Sequence, residues 1–266
     1  MPLILPARTL DSDYDIDNSL RFPGDAAELT REQDAGNRKT WTCSLWVKKS
    51  SSGGPMWGTP SEGDQFYFSS DRLFFFNEGS SGSYLSTAKV FRDPSAWYHL
   101  VIAFDTTQGT AANRVKLYIN GSQYTWDTNT TFPDEDDEFK VCQDGQNFRI
   151  NAGHGGVASN GSQCYYADFA FVDGTAYDAS YFGKTNNNGV WIPKKPTVTW
   201  GTNGFFLEFQ QTGTSQNASG IGADTSGNGN HFAVTDLTSV DVTTDTPTNN
   251  FATLNPLYTG RFDNTG

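Results

Sequence analysis

Hydrophobic and polar residues alternate along much of this chain, which is the pattern of β-strands that bury one face. Residues 115–119 (VKLYI) place an apolar side chain at every second position. The Asn120-Gly121 dipeptide that follows can adopt the two positive-φ conformations of a tight hairpin turn, and Tyr124 and Trp126 lie on the returning side. The pattern therefore predicts a β-hairpin that turns at this dipeptide.

Similar segments recur between turn residues, and we find no long stretch with the apolar spacing of an amphipathic helix. The segment YHLVIAFD is apolar almost throughout, which is typical of a central strand covered on both faces. Many antiparallel strands without helices imply two packed sheets. The sequence thus predicts an all-β fold, an antiparallel β-sandwich, with strands at 41–48, 65–69, 72–77, 97–105, 114–120, 123–127, 147–152, 165–173, 204–210 and 231–235.

The two ends of the chain differ from its middle. We expect an N-terminal extended segment at 1–20, a sandwich at 21–235 and a C-terminal extended arm at 236–266. The arm is rich in Thr, Asp, Asn and Pro, and its apolar residues are spaced singly, so it needs a surface to lie on. That surface is either a neighbouring subunit or the chain's own sandwich. On a neighbour, the assembly anchors would be Phe251, Leu254 and Leu257.

Composition and charge narrow the partners. Of the 266 residues, 36% are hydrophobic and 14% aromatic, and 27 glycines supply turns. A net charge of −12, from 30 acidic and 18 basic residues, argues against a nucleic-acid partner. No apolar run could span a bilayer, and MPLILPART lacks the apolar core of a secretory signal. We therefore expect no membrane partner, no signal peptide and synthesis in the cytoplasm, with the three cysteines reduced.

Eight stretches between Ile16 and Pro256 carry a resemblance to a known family: IDNSLRF, AGNRKTWTCSLWVKK, FRDPSAWYHLVIAFDTTQGTAANRVKLYINGSQ, ADFAFVDGTAYDASYFG, NNNGVWIP, GTNGFFLEF, ADTSGNGNHF and DTPTNNFATLNP. In this order they resemble the laminin-G-like, concanavalin-A-like jelly-roll modules of tail-fibre and other virion proteins of marine bacteriophages. The resemblance implies a jelly roll with extended terminal arms. It also implies a virion location and a structural role, as a tail-fibre, appendage or capsid-decorating module that docks on other virion proteins. We expect a homo-oligomer such as a trimer.

Catalysis has little support in the sequence. Glycoside hydrolysis needs two carboxyl groups roughly 5–9 Å apart across the scissile bond. The nearest acidic run, residues 134–140 (DEDDEFK), carries Lys140 where hydrolases of this fold place the last acid, and it follows Pro133 in an evident loop. The three histidines are isolated. The sequence therefore predicts no catalytic residues, and a glycan-degrading enzyme is the least favoured function.

Calcium is a candidate ligand at one glycine-rich loop. Carboxylate and amide oxygens are the ligands that calcium prefers, and DTSGNGN offers Asp224, Asn228 and Asn230. The same residues also suit a turn that holds itself together through side-chain to backbone hydrogen bonds. The aspartates of DSDYDIDN lack the glycine and glutamate of an EF-hand loop, so local repulsion in a solvated segment explains them better.

Glycan binding would use exposed aromatic rings beside hydrogen-bonding side chains. Residues near turns are the candidates for such a role, and they are Trp57, Tyr84, Trp126 and Trp200. Asp168 in mid-strand either faces a ligand or bonds a neighbouring backbone group or hydroxyl. A lectin-like adhesin that binds host-surface polysaccharide is therefore the alternative to a structural virion component.

Overall fold

The computed structural model describes residues 14–51, 53–60, 63–77, 84–126, 130–153 and 161–250. Across these ranges the chain is built of strands and three short 3-10 turns, with no α-helix. No helix in the described ranges is therefore long and apolar enough to cross a membrane. The strands are β1 (Ser19–Asp25), β2 (Glu28–Glu32), β3 (Thr40–Lys49), β4 (Gly54–Gly58), β5 (Asp64–Ser69), β6 (Arg72–Asn77), β7 (Tyr84–Val90), β8 (Tyr98–Asp105), β9 (Val115–Ile119), β10 (Ser122–Gln123), β11 (Asn147–Ile150), β12 (Gly161–Asp173), β13 (Gly183–Thr185), β14 (Trp191–Pro193), β15 (Phe205–Leu207), β16 (Ala233–Thr235) and β17 (Val242–Thr243).

The strands form two antiparallel sheets that pack as a sandwich. The eight-stranded sheet has the order β10-β9-β8-β3-β12-β1-β17, and β15 also pairs with β12. The seven-stranded sheet has the order β16-β2-β11-β4-β5-β6-β7, and β13 pairs with β14 in a small hairpin. The predicted all-β jelly-roll sandwich is confirmed.

Aromatic rings join the two sheets in the core. Trp41 of β3 stacks on Phe104 at 4.3 Å between ring centroids and meets Trp57 of β4 edge-on at 5.6 Å. Trp57 in turn stacks on Phe148 at 5.2 Å. Burying each ring stabilises the fold by about 1.5–3 kcal/mol, and each ring pair adds about 0.5–1.5 kcal/mol. The cysteines lie in the same interior as free, buried thiols: Cys43, Cys142 and Cys164.

The predicted hairpin is present, with a shorter return. Asn120 and Gly121 form the turn with φ values of 49° and 78°. Strand β10 ends at Gln123 because the chain then turns inward, and the Trp126 Nε1–H donates to the carbonyl of Val115 at 3.1 Å. The ring of Trp126 thus closes one end of the core.

Two parts of the chain lie side by side on the outer face of the eight-stranded sheet. Over one half, the terminal segments bury Ile16 against Trp46 and Trp97. Over the other half lie residues 174–200, here named the cover segment, which pack on a second apolar cluster. Trp191 of the cover segment contacts both clusters. The outer face is therefore largely covered, except at the edge formed by β8 and β9.

The terminal segments are part of the sandwich. Strand β17 pairs with β1. The Thr248 hydroxyl accepts a hydrogen bond from the Ile16 N–H and donates one to the Ile16 carbonyl, both at 3.0 Å. The predicted boundaries at 20/21 and 235/236 fall inside this packed region. Residues 236–250 lie on the chain's own sandwich, which is the second of the two alternatives for that part of the arm. The predicted anchors lie outside the described residues: Phe251, Leu254 and Leu257.

A buried lysine fastens the C-terminal segment. Lys48 is 1% exposed, and its Nζ lies 2.8 Å from Asp245 Oδ2 and donates to Asn250 Oδ1 at 3.2 Å. The Trp97 Nε1–H donates to the other carboxylate oxygen of Asp245 at 3.2 Å. If this segment detached, Lys48 would keep a buried charge without its partner. Detachment is therefore unfavourable.

Candidate functional site

A polar cleft of about 310 Å³ opens at one edge of the eight-stranded sheet, beside the cover segment. Its floor comes from β8 and β9, one wall from the loop between them, and the other wall from the start of the cover segment. The lining residues are Ala103, Asp105, Gln108, Asn113, Lys116, Tyr118, Ala176, Tyr177 and Asp178.

Strand alternation builds the floor. On β9, Val115, Leu117 and Ile119 are buried in the core, so Lys116 and Tyr118 project to the outer face. Tyr118 is half-buried against the apolar cluster beneath the cover segment. An aromatic ring therefore lies beside an exposed ammonium group at the bottom of the cleft.

Three hydrogen bonds fix the Tyr177 wall. The Tyr177 N–H donates to Thr42 Oγ1 at 2.8 Å, and the Tyr177 hydroxyl accepts from the Thr199 N–H at 3.3 Å. Thr42 Oγ1 itself donates to the Thr175 carbonyl at 2.7 Å. The ring of Tyr177 is thus held in place before any ligand arrives.

The two carboxylates of the cleft support their own loops. Burial raises the pKa of Asp105, but hydrogen bonds from Thr107, Gln108 and Thr40 outweigh it, so the pKa is lowered. The Asp178 carboxylate accepts from the N–H and hydroxyl of Ser180 at 2.8 and 2.6 Å. Both carboxylates therefore serve as fixed acceptors, which suits binding of hydroxyl groups better than proton transfer.

The DTSGNGN loop binds itself and does not form a preformed cation cage. The two carboxylate oxygens of Asp224 accept from the N–H groups of Phe206, Ser226 and Asn230 and from the Ser226 hydroxyl. The Asn230 amide oxygen accepts from Arg31 at 2.7 Å, and the Asn228 amide group donates to backbone carbonyls. Within the described residues, no group of three or more Asp, Glu, His or Cys side chains is placed to hold a metal ion. These residues do not fit a bound calcium ion as they stand.

The four aromatic residues predicted to bind glycans do not come together. Trp57 is fully buried in the core, so its candidacy was wrong, because nearness to a turn does not decide which way a ring faces. Trp126 is half-buried at one end of the core, and Trp200, also half-buried, stacks on Phe206 at 5.8 Å. The backbone of Tyr84 lies in β7, and its side chain lies outside the described residues.

The acidic run after Pro133 is a surface turn. Glu138 pairs with Arg38 at 2.6 Å, and Asp136 pairs with Lys39 at 3.1 Å. Both carboxylates are more than half exposed. The run therefore has the solvated, structural character predicted for it.

Asp168 bonds a hydroxyl, as one reading of the sequence predicted. It lies at a bulge of β12 with a φ of 46°, is 7% exposed, and shares a hydrogen bond with Tyr14. Burial raises the pKa of Asp168 to about 8. The Tyr14 hydroxyl in turn donates to Glu208 at 3.4 Å, and Glu208 lies 3.6 Å from Lys195. This cluster fastens the N-terminal segment.

A second cleft, of about 240 Å³, lies where the two terminal segments meet. Its lining includes Asp15, Asp17 and Asn249 but no aromatic ring. It lacks the combination of ring face and hydrogen-bonding groups that the first cleft has.

Three tyrosines in or next to this cleft were not among the residues predicted from sequence to bind a ligand: Tyr118, Tyr177 and Tyr181. Tyr118 was signalled by its position on the same strand face as Lys116. Tyr177 and Tyr181 occur four residues apart in DGTAYDASYFG, just after a long buried strand. Two tyrosines in such a polar segment are a signal that could have drawn attention to this surface.

The fold is an antiparallel β-sandwich of two sheets with a polar cleft at one sheet edge. Residues 23–152 match the family model described as "Concanavalin A-like lectin/glucanases superfamily". No curated protein matches the chain.

Solved structures resemble this chain at low sequence identity, and the extent of structural overlap differs among them. A Bacteroides ovatus protein assigned as carbohydrate-binding is 13% identical, with a TM-score of 0.60 over 87% of this chain and 60% of its own. Mouse laminin α1 domains LG4-5 are 11% identical, with a TM-score of 0.45 over 74% of this chain and 50% of their own. A pentraxin from Limulus polyphemus is 20% identical, with a TM-score of 0.46 over 62% of this chain and 79% of its own. This chain thus spans well under two thirds of the first two.

Proposed function

We propose that this protein is a non-catalytic binding module that recognises saccharides through the cleft beside the cover segment. The proposal rests on one observation, which is that a single concave site combines two tyrosine rings with polar groups. The rings are Tyr118 and Tyr177, and the polar groups are Lys116, Asn113 and two fixed carboxylates. Sugars present apolar C–H faces and polar hydroxyl edges, and a site of this composition complements both. The Bacteroides ovatus structure of similar fold adds support at the level of fold.

Affinity electrophoresis tests the proposal. The wild-type protein would be run through native gels that contain laminarin, agarose or bacterial capsular polysaccharide. We expect at least one polysaccharide to retard it, and Tyr118→Ala to abolish the retardation.

A matched control uses the other sheet. Tyr67 of β5 is also half-buried, and its ring stacks on Phe74 at 5.3 Å. Tyr67→Ala should be retarded like the wild type. Equal retardation of the wild type and Tyr118→Ala in every gel would contradict the proposal.

We further infer that the module works on a bacteriophage particle, where it docks on other virion proteins. The resemblance of eight stretches to virion modules supports this. The geometry would leave the cleft accessible on a particle. The terminal segments meet near Ile16 and Thr248, at the start of β8, whereas the cleft lies at the end of that strand. Negative-stain images of virions labelled with an antibody to this protein test the location. Unlabelled particles would contradict it.

The proposed homo-oligomer depends on the segment after residue 250. Because residues 236–250 pack on the chain's own sandwich, a deletion of 251–266 leaves that packing intact. If Phe251, Leu254 and Leu257 anchor a neighbouring subunit, this deletion should convert the oligomer to a monomer in light scattering. An oligomer with an unchanged number of subunits would remove these anchors from the proposal.

We also propose that this protein does not hydrolyse polysaccharides. The hydrogen bonds that the cleft's two carboxylates accept from their own loops support this proposal. We expect no release of reducing ends from laminarin, agarose or host capsule above a heat-inactivated control.

A further inference from the structure

We infer that the ligand of this cleft is an extended oligosaccharide chain, which continues from Tyr177 onto the neighbouring ring of Tyr181. This inference rests on the proposed saccharide binding and specifies the class of saccharide. It is independent of where in a virion the module is located.

The starting observation is an exposed aromatic ring beside the cleft. Among the described residues, Tyr181 is the one large aromatic residue that is classed as exposed, at 37%. Its ring centroid lies 4.3 Å from that of Tyr177, and the two planes are inclined by 47°. Since Tyr177 lines the cleft, this ring contact joins the cleft lining to the exposed ring of Tyr181.

The backbone holds Tyr181 in place. Residues Ala179–Tyr181 form a 3-10 turn that Asp178 caps, and Ala179 is 2% exposed. The Lys194 ammonium donates to the Ser180 carbonyl at 3.0 Å, which ties the turn to the far side of the cover segment. A ring on a rigid turn loses little conformational entropy on binding, so an exposed tyrosine there is suited to recognition.

The polar end of the site favours a saccharide over other extended ligands. On its loop wall and floor the cleft presents Asn113 and Lys116, which can donate hydrogen bonds, whereas the Gln108 amide already donates to Asp105 at 2.6 Å. A polyhydroxylated chain can use these donors and lay successive ring faces on Tyr118, Tyr177 and Tyr181. A proline-rich peptide would also pack on an aromatic groove, but it offers few groups to the polar end.

Chain length is the measurable consequence. We would titrate the wild type by calorimetry with linear oligosaccharides of one to six units, prepared from the polysaccharide that retards it most in affinity electrophoresis. Affinity should rise with length by roughly three- to tenfold once the chain reaches Tyr181, which is the size of one added aromatic contact. Tyr181→Ala should remove this rise, and Tyr67→Ala should keep it.

The outcomes separate this inference from the proposed function. If the wild type binds the single unit and the longest chain equally, or if Tyr181→Ala keeps the full rise with length, the inference is wrong and saccharide binding stands. If no saccharide binds but a proline-rich peptide does and Tyr118→Ala abolishes that binding, both are wrong. A melting temperature of Tyr181→Ala close to that of the wild type shows that the variant is folded.

Discussion

Gly121 and Trp191 are in direct contact, and a methyl group placed on Gly121 would overlap the indole ring. Gly121 therefore has two roles. It adopts the positive φ that the hairpin turn needs, and it gives Trp191 the room to lie over the sheet. From that position the Trp191 Nε1–H donates to His99 Nδ1 at 3.0 Å.

This contact predicts that Gly121→Ala is more destabilising than backbone strain alone explains. Positive φ costs an alanine about 1 kcal/mol, and overpacking adds about 1–3 kcal/mol. Gly145 is the matched control, because its φ of 72° is similar and nothing lies within 4 Å of the added methyl. Denaturant unfolding should show a loss for Gly121→Ala about 1–3 kcal/mol larger than for Gly145→Ala. Equal losses would mean that the indole ring moves aside freely.

His99 predicts a loss of stability in acid. It is 1% exposed, its Nε2 lies 3.0 Å from Ser44 Oγ, and burial lowers its pKa to about 3. The unfolded chain takes up a proton near pH 6.5 that the folded protein refuses, so His99 makes the folded state less stable as pH falls from about 6.5 to 3.

The matched variant His99→Gln lacks this titration. Its unfolding free energy, compared with that of the wild type at pH 6.5 and 5, isolates the contribution of His99. The wild type should lose about 2 kcal/mol relative to the variant over that interval. A constant difference between the two proteins would show that His99 takes up its proton as readily in the folded protein as in the unfolded chain.

Asp168 predicts the opposite dependence. Burial raises its pKa to about 8, and the nearby negative charge of Glu208 acts in the same direction. The folded protein keeps a proton that the unfolded chain releases near pH 4. Stability from this group is therefore full below about pH 4, declines by up to about 1.4 kcal/mol per pH unit, and levels off above about pH 8.

Asp168→Asn tests this dependence without straining the backbone, because asparagine tolerates the φ of 46°. Amide hydrogen exchange of residues 14–20 would report on the docked N-terminal segment. Relative to the variant, the wild type should open more readily at pH 8 than at pH 5. A ratio that does not change with pH would exclude Asp168 as the titrating group.

Asp224 predicts a structural loss that calcium does not alter. Asp224→Ala removes the acceptor of three N–H groups and one hydroxyl, and should cost about 3 kcal/mol. The loss should be the same in excess calcium and in EDTA. Asp34→Ala, at a carboxylate that is 74% exposed, should cost less than about 0.5 kcal/mol. A melting temperature of the wild type that rises with calcium would restore the metal site.

Strand alternation predicted much of the sandwich, and local chemistry explains two of the strands that were missed. Strand β4 reads GPMWG, and its glycines and proline indicate a turn, yet it lies inside the seven-stranded sheet. The register of β4 against β5 shifts between Pro55 and Trp57, which lets the proline stay in the sheet. Strand β1 likewise contains Pro23-Gly24.

The site was harder to predict than the fold. Alternation alone assigns Tyr118 to the outer face, but nothing local places Tyr177 beside it, since that depends on the path of the cover segment over the sheet. For Trp57 the reverse holds, because only the packing of two sheets decides that its ring is buried. A sequence pattern fixes the face of a strand and leaves long-range neighbours open.

The two hydrogen bonds between Ile16 and Thr248 bring the terminal segments of the described chain next to each other. A short linker could join residues 14 and 250, and new ends could be opened at the exposed tip of the β13–β14 hairpin, between Asn187 and Asn188. Such a circular permutant of residues 14–250 should keep the sandwich, because the segments around Ile16 and Thr248 already contact each other. The same geometry lets the unit be inserted into a loop of another protein without stretching either chain.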